Sequence, residues 1–220
     1  MIPLSDASRR PLHFPAATSL IIAVNLAAFI HELMSGETFI KQWSMVPADI
    51  VAGHNWITIF SAMFLHAGLL HILGNMLFLW VFGPDIEDVM GPVRYLSFYM
   101  LGGLAAAFAQ IVVDPSSTIP SLGASGAIAA VMGAFIVTYP RDKIRTVLFL
   151  GWYVKITFIP AVFLIGFWFL TQLFSQVGSM AEVQEGGVAY MAHIGGFIFG
   201  MVAARIFENP QRLAQRRGIA

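Results

Sequence analysis

Four polar side chains inside apolar stretches of this chain could together perform nucleophilic catalysis. Ser125 lies in a Gly-Ala-Ser-Gly run, and His193 lies in an Ala-His-Ile-Gly-Gly run. A serine hydroxyl is a weak nucleophile at neutral pH and needs a base within hydrogen-bond reach, for which a neutral imidazole is the usual choice. His71 and Asn75 are four residues apart, so they share one helical face, and their N–H groups could stabilise an oxyanion. With no carboxylate at the same depth, the pattern predicts a Ser-His dyad.

The composition around these residues is that of a membrane protein. The 220-residue chain is 58% hydrophobic and 11% charged, whereas soluble domains carry about 25% charged residues. The same figures exclude a disordered chain, and a net charge of +0 excludes a basic nucleic-acid-binding protein. The absence of cysteine excludes disulfides and thiol nucleophiles. We therefore expect one all-α membrane domain over residues 1–220, with no metal and no other cofactor.

Six segments are apolar and long enough to cross a bilayer, which takes about 20 mostly apolar residues. They cover roughly 17–35, 62–82, 95–113, 122–139, 158–176 and 188–206. Of the 12 basic residues, all except Lys41 fall on one side of these spans. The positive-inside rule therefore predicts cytoplasmic termini, with short tails at about 1–15 and 207–220. The stretch 146–157 is interpreted as interfacial, and a longer, kinked fifth helix is the alternative.

The predicted spans bring the polar residues to one depth. Spans two, four and six run in the same direction, and Ser125 and His193 lie near the outer starts of spans four and six. The His-Asn pair of span two lies two to three turns into that span, at about 5.4 Å per turn. His193, Gly196 and Gly200 share one face of span six, and small residues four apart let two helix backbones approach closely. We expect a cavity that opens to the outer side.

Each of these residues also has a simpler explanation. A serine beside glycine is often only a packing residue, and a buried histidine is often only hydrogen-bonded. The convergence of four polar residues on three co-directional helices favours catalysis. A zinc protease is excluded because the His31-Glu32 pair has Ser35 where a second histidine is needed. A small transporter and a non-catalytic protein that binds membrane helices stay open as alternatives.

Taken together, these residues resemble the rhomboid family of intramembrane serine proteases over nearly the whole chain. The resemblance is carried by FLHAGLLHILGNMLFLWVFG at 64–83, GPDIEDVMG at 83–91, GASGAIAAVMGA at 123–134 and AHIGGFIFG at 192–200. It implies a six-helix core in which Ser125 is the nucleophile and His193 the base. It further implies that His71, Asn75 and the Ser125 backbone N–H support the oxyanion.

The resemblance also implies structural residues. Gly83, Glu87 and Gly91 match a Gly-x-x-x-Glu-x-x-x-Gly segment that is structural in the family. His66 resembles a family histidine that ties the long outer loop to span two. Gly196 and Gly200 belong to the packing face of span six.

One position departs from the family pattern. Rhomboids often stack an aromatic ring on the catalytic histidine from one turn past the serine, where this chain has Ala129. The orientation of His193 then depends on other packing, for which Phe135 and Tyr153 are the substitutes if the fold brings them near.

We therefore expect a serine endopeptidase that cleaves transmembrane or juxtamembrane segments of membrane proteins. Its partners would be the lipid bilayer and transmembrane substrates, without nucleic acid or metal. It would lie in a bacterial-type plasma membrane with its active site open to the extracytoplasmic side. A gate is expected at span five and the loop after it, which contains Gly178, Gly186 and Gly187.

Overall fold

A computed structural model describes residues 1–181 and 189–216, which form ten α-helices and three β-strands. Gly186 and Gly187, on which the expected gate partly rests, lie outside these described residues. The helices are α1 Ala16–Ser35, α2 Glu37–Trp43, α3 Pro47–Val51, α4 Thr58–Ser61, α5 Leu69–Met90, α6 Pro92–Val113, α7 Ser125–Thr138, α8 Ala161–Ala181, α9 Tyr190–Phe207 and α10 Pro210–Arg216. The strands are β1 Ile2–Asp6, β2 Lys143–Leu150 and β3 Tyr153–Pro160.

Each of the six predicted spans overlaps one of the apolar helices. Within the described ranges, α1, α5, α6 and α9 are long and apolar enough to cross a membrane. The helix α7 and the Ala161–Gln176 part of α8 are shorter apolar helices. The described part of the chain is thus mostly helical, with four candidate membrane-spanning helices.

The second predicted span is displaced along the sequence. Its helix, α5, begins at Leu69 rather than near residue 62, because residues 62–64 form a 3-10 turn and Gly68 precedes the helix. It continues through Pro84 and ends at Met90, and the next residue, Gly91, has a φ of +82° that favours glycine. The segment 83–91 therefore forms the last turns of this helix and its C-terminal cap.

A small antiparallel sheet makes the all-α expectation wrong in one region. Its strand order is β1-β2-β3, with Val147 opposite both Ile2 and Ile156. Residues 143–160 form a hairpin because β-branched and aromatic side chains dominate both arms, and Gly151 supplies the positive φ that a tight turn requires. The alternative of a longer fifth helix is wrong, since α8 begins only at Ala161.

The core is built around α7. Every residue from Gly126 to Phe135 is buried, as α7 packs against α5, α6, α8 and α9. Small side chains cover most of this helix, so neighbouring backbones can approach it closely. A buried central helix holds whatever lies at its N-terminal end in a fixed place.

Glu87 joins α5 to the start of α1. Its carboxylate accepts hydrogen bonds from the backbone N–H of Ala17, the backbone N–H of Thr18 and the Thr18 hydroxyl, at 2.8, 2.8 and 2.7 Å. The first amides of a helix lack partners within the helix, and a carboxylate there also opposes the positive end of the helix dipole. A buried acidic residue therefore serves as the N-terminal cap of another helix.

Replacement of Glu87 by alanine is expected to lower the free energy of unfolding by about 3 kcal/mol, because it leaves buried donors without partners. Thermal unfolding in detergent micelles measures the change. Glu37→Ala is the matched control, since Glu37 forms only an exposed ion pair with Lys41, a kind of pair worth about 1 kcal/mol or less. Equal unfolding temperatures for the two variants would contradict this role of Glu87.

Candidate active site

Ser125 is the first residue of α7, directly after a sharply bent segment. Gly123 has a φ of +126°, and a Cβ at this position would lie 2.9 Å from Nε2 of His71 and 3.6 Å from Oγ of Ser125. The bend needs glycine for its backbone angle and for the closeness of these two side chains. It leaves the serine at the positive end of a buried helix, where backbone N–H groups have no partner within the helix.

His193 lies one turn into α9 and faces this serine. Its Nε2 is 2.7 Å from Oγ of Ser125, which is hydrogen-bond distance. The close approach of α7 and α9 makes the bond possible, since a Cβ on Gly196 would lie 3.0 Å from the carbonyl carbon of Gly126. The structure thus brings together the two residues that the sequence proposed as nucleophile and base.

The other ring nitrogen of His193 has a partner that sequence reasoning missed. Nδ1 of His193 is 2.8 Å from Oε1 of Gln172 on α8. One helical turn earlier, the Trp168 ring packs on the imidazole with centroids 5.8 Å apart and planes at 42°. The sequence did carry a signal, because Gln172 is a polar residue in an apolar helix, four positions after a tryptophan.

Trp168 occupies the place of the expected aromatic partner of His193. Of the proposed substitutes, Phe135 packs instead against Phe82 and Tyr139. Tyr153 is the first residue of β3 and is half exposed. The condition set for these two substitutes is not met, and the ring beside His193 comes from α8.

His71 and Asn75 line the same space from α5. Nδ1 of His71 is 3.4 Å from the backbone N–H of Ala67, which makes Nδ1 an acceptor and leaves the ring proton on Nε2. Nδ2 of Asn75 is buried and has no hydrogen-bond partner among the described residues. Both side chains can therefore offer N–H donors beside Ser125.

These residues border a cavity of about 740 Å³. Its wall is mostly apolar, and its polar members include all four of the proposed catalytic and oxyanion side chains. The lining residues most relevant to the chemistry are His71, Asn75, Ser121, Ser125, Trp168 and His193. A volume of this size admits several side chains of an extended peptide.

The remaining predicted residues lie outside the cavity. His66 is buried before α5; its backbone N–H donates to the Glu32 carboxylate at 3.1 Å, and its ring packs edge-on against His71. Gly83 faces α1 and α6, where a Cβ would lie 2.7 Å from the Tyr95 hydroxyl.

Within residues 1–181 and 189–216, no group of three or more His, Asp or Glu side chains could hold a metal ion. At Ser125, a hydroxyl and an imidazole lie at hydrogen-bond distance.

Comparisons with known proteins place this chain near proteins of one family. A family model described as the Rhomboid domain matches residues 53–209. The chain is 28% identical to Rhomboid protein 1, mitochondrial, of Saccharomyces cerevisiae over 210 residues, which covers 90% of this chain and 56% of that protein. It is 28% identical to Rhomboid protease GluP of Bacillus subtilis over 201 residues, covering 90% of this chain and 36% of that protein.

A further relative is RHOMBOID-like protein 12, mitochondrial, of Arabidopsis thaliana, with 27% identity over 213 residues. That match covers 87% of this chain and 59% of the plant protein. The chain therefore spans between about a third and three-fifths of the length of these relatives.

Proposed function

We propose that this chain, which belongs to the rhomboid family, is an intramembrane serine endopeptidase. The observation that carries the proposal is the 2.7 Å contact between Oγ of Ser125 and Nε2 of His193 at the edge of a 740 Å³ cavity. Helix packing alone has no need for such a pair, which joins a weak nucleophile to a base. The name of the Bacillus subtilis relative, a rhomboid protease, points the same way.

The mechanism proceeds by acyl transfer. Oγ of Ser125 attacks the carbonyl carbon of the scissile peptide bond while Nε2 of His193 takes the hydroxyl proton. The imidazolium then gives this proton to the leaving amine, and an acyl-enzyme forms. Water enters, His193 removes its proton, and hydrolysis of the ester restores the serine.

We propose that three groups stabilise the oxyanion of each tetrahedral intermediate. They are Nε2–H of His71, Nδ2–H of Asn75 and the backbone N–H of Ser125. Such donors act most strongly where water is scarce and their positions are fixed beforehand. The unpartnered amide of Asn75 supports this role, since a buried donor without a partner costs about 1–3 kcal/mol of stability.

The substrates are transmembrane or juxtamembrane segments of other membrane proteins. A peptide bond inside a helix hides its carbonyl, so the substrate helix must unwind locally before attack. Small or helix-breaking residues lower the cost of unwinding. We expect such residues next to the cleaved bond.

The proposed topology has six spans with both termini in the cytoplasm. In this topology α7 and α8 are the two further spans beside the four long apolar helices. The apolar stretches of these two helices, Ser125–Thr138 and Ala161–Gln176, are shorter. The asymmetric distribution of basic residues sets the orientation, and the cavity then opens to the extracytoplasmic side. We propose a bacterial-type plasma membrane as the location, although two of the relatives above carry mitochondrial names.

Cleavage of a reporter in liposomes tests the proposal. The purified chain is co-reconstituted with a single-span protein that carries a glycine-rich transmembrane segment, and the products are identified by mass spectrometry. We expect a cut within or beside the membrane segment for the wild type and none for Ser125→Ala. A proton-dependent solute flux that survives Ser125→Ala, without any cleavage, would favour a transporter instead.

A further inference from the structure

We propose that Gln172 is a positioning residue that fixes the tautomer and orientation of the His193 base, so that the dyad is completed by a neutral amide from α8. This inference rests on the proposed function and names a residue outside the predicted site. It follows from the hydrogen bonds at both ends of the Gln172 amide.

The orientation of that amide is set by its nitrogen. Nε2 of Gln172 donates to the backbone carbonyl of Trp168 at 3.3 Å and to Oγ1 of Thr171 at 3.1 Å. The Thr171 hydroxyl cannot reverse this arrangement, because it donates its own proton to the same Trp168 carbonyl at 2.6 Å. The amide oxygen must therefore face His193, as its 2.8 Å distance to Nδ1 indicates.

An acceptor at Nδ1 determines what Nε2 can do. Nδ1 has to carry the ring proton in order to donate to Gln172, which leaves a lone pair on Nε2. That lone pair faces the Ser125 hydroxyl at 2.7 Å and is ready to take its proton. With the other tautomer, Nε2 would carry a proton and could not act as the base.

A neutral amide suits this depth better than a carboxylate. An ionised side chain inside a membrane is costly, whereas an amide offers an oxygen acceptor without a net charge. Its dipole still favours the imidazolium that forms when His193 accepts the proton. The amide thus performs the orienting part of the carboxylate's task in a serine-protease triad.

The same helix supplies a second support for the base. Trp168 and Gln172 are one turn apart on α8, and the indole packs at a tilt against the imidazole while the amide oxygen binds its Nδ1. These contacts exist because α8 packs against α9. The base is therefore held in its active orientation only while α8 remains in this position.

The test compares Gln172→Leu, which removes the acceptor, with Gln172→Glu, which keeps an oxygen acceptor in either protonation state. Leu173→Met, at an exposed neighbouring position, is the control. We expect Gln172→Leu to lower kcat on the order of 10²-fold with KM unchanged, because the base is misplaced but the cavity is not. Gln172→Glu should recover much of the loss, and the control should match the wild type.

A readout independent of activity is nitrogen NMR of histidine-labelled protein, with the His193 resonances assigned from a His193→Asn variant. In the wild type we expect a protonated Nδ1 and an unprotonated Nε2, and in Gln172→Leu a mixture of tautomers. Unchanged kcat and unchanged resonances in Gln172→Leu would overturn the inference. A lower unfolding temperature without rescue by Gln172→Glu would likewise reduce Gln172 to a structural role. A wild type that shows the expected tautomer but cleaves nothing would overturn the proposed function alone.

Discussion

Covalent labelling by a fluorophosphonate is expected to disappear when either Ser125 or His193 is replaced by alanine. The probe phosphonylates a serine only when a base removes the hydroxyl proton, and the 2.7 Å contact supplies that base. Removing one member of such a catalytic unit lowers the reaction rate nearly as much as removing all members. The labelling rate should therefore fall by about 10⁴-fold or more in each variant. The measurement is the second-order labelling rate of detergent-purified protein, read by in-gel fluorescence.

Two matched substitutions separate this effect from general damage. Ser97→Ala removes an exposed serine of α6 whose hydroxyl bonds only its own helix at Val93, and His31→Ala removes an exposed histidine at the end of α1. Both should label at the wild-type rate. If Ser125→Ala still labels, another serine is the nucleophile. If the folded wild type does not label beside an active rhomboid, the helix-binding alternative gains support.

Residue types and spacing were enough to predict that Ser125 and His193 meet. Ser125 and His193 are polar residues next to small ones in apolar helices. A polar side chain in an apolar helix is costly, and small residues allow two helices to pack closely; both features can be recognised from the local sequence. The pairing across α7 and α9 then follows from direction and depth. Their catalytic roles remain predictions.

The partner of the base could not be predicted in the same way. Gln172 reaches His193 from a third helix, and only the tilt and rotation of α8 decide whether position 172 faces α9 or lipid. The acceptor is an amide, whereas the usual partner of a catalytic histidine in a serine-protease triad is a carboxylate. The position of Trp168 beside His193 has the same origin, since it too depends on how α8 packs against α9.

The sheet escaped prediction for a different reason. Mean hydropathy over 146–157 resembles that of a membrane segment, whereas strands are distinguished by alternation and by β-branched residues. The pairing of β1 with β2 joins residue 2 to residue 147, a separation that no local pattern encodes. The location of this hairpin in the membrane interface stays a prediction.

Replacement of Gly200 by alanine is expected to separate α7 from α9 and to impair both stability and catalysis. A Cβ at Gly200 would lie 2.7 Å from the carbonyl carbon and 2.8 Å from the Cα of Ala130. Both are backbone atoms of a buried helix, so no side-chain rotation can relieve the clash. We expect the free energy of unfolding to fall by about 1–3 kcal/mol. A shift of about 1 Å in α9 would also break the Ser125–His193 bond and lower kcat/KM on the order of 10²-fold.

Gly166→Ala is the matched control, because it makes the same substitution inside α8 where a Cβ would meet no atom within 4 Å. Thermal unfolding in detergent and kcat/KM on the liposome reporter are measured for both variants. A Gly200→Ala protein as stable and active as Gly166→Ala would show that α7 and α9 can separate without cost. The opposite result would tie catalysis to backbone contact, because a hydrogen bond between two helices survives only if the helices cannot drift apart. It would also explain how four small residues outside the cavity support the reaction, by allowing α7 and α9 to pack closely: Gly126, Ala130, Gly196 and Gly200.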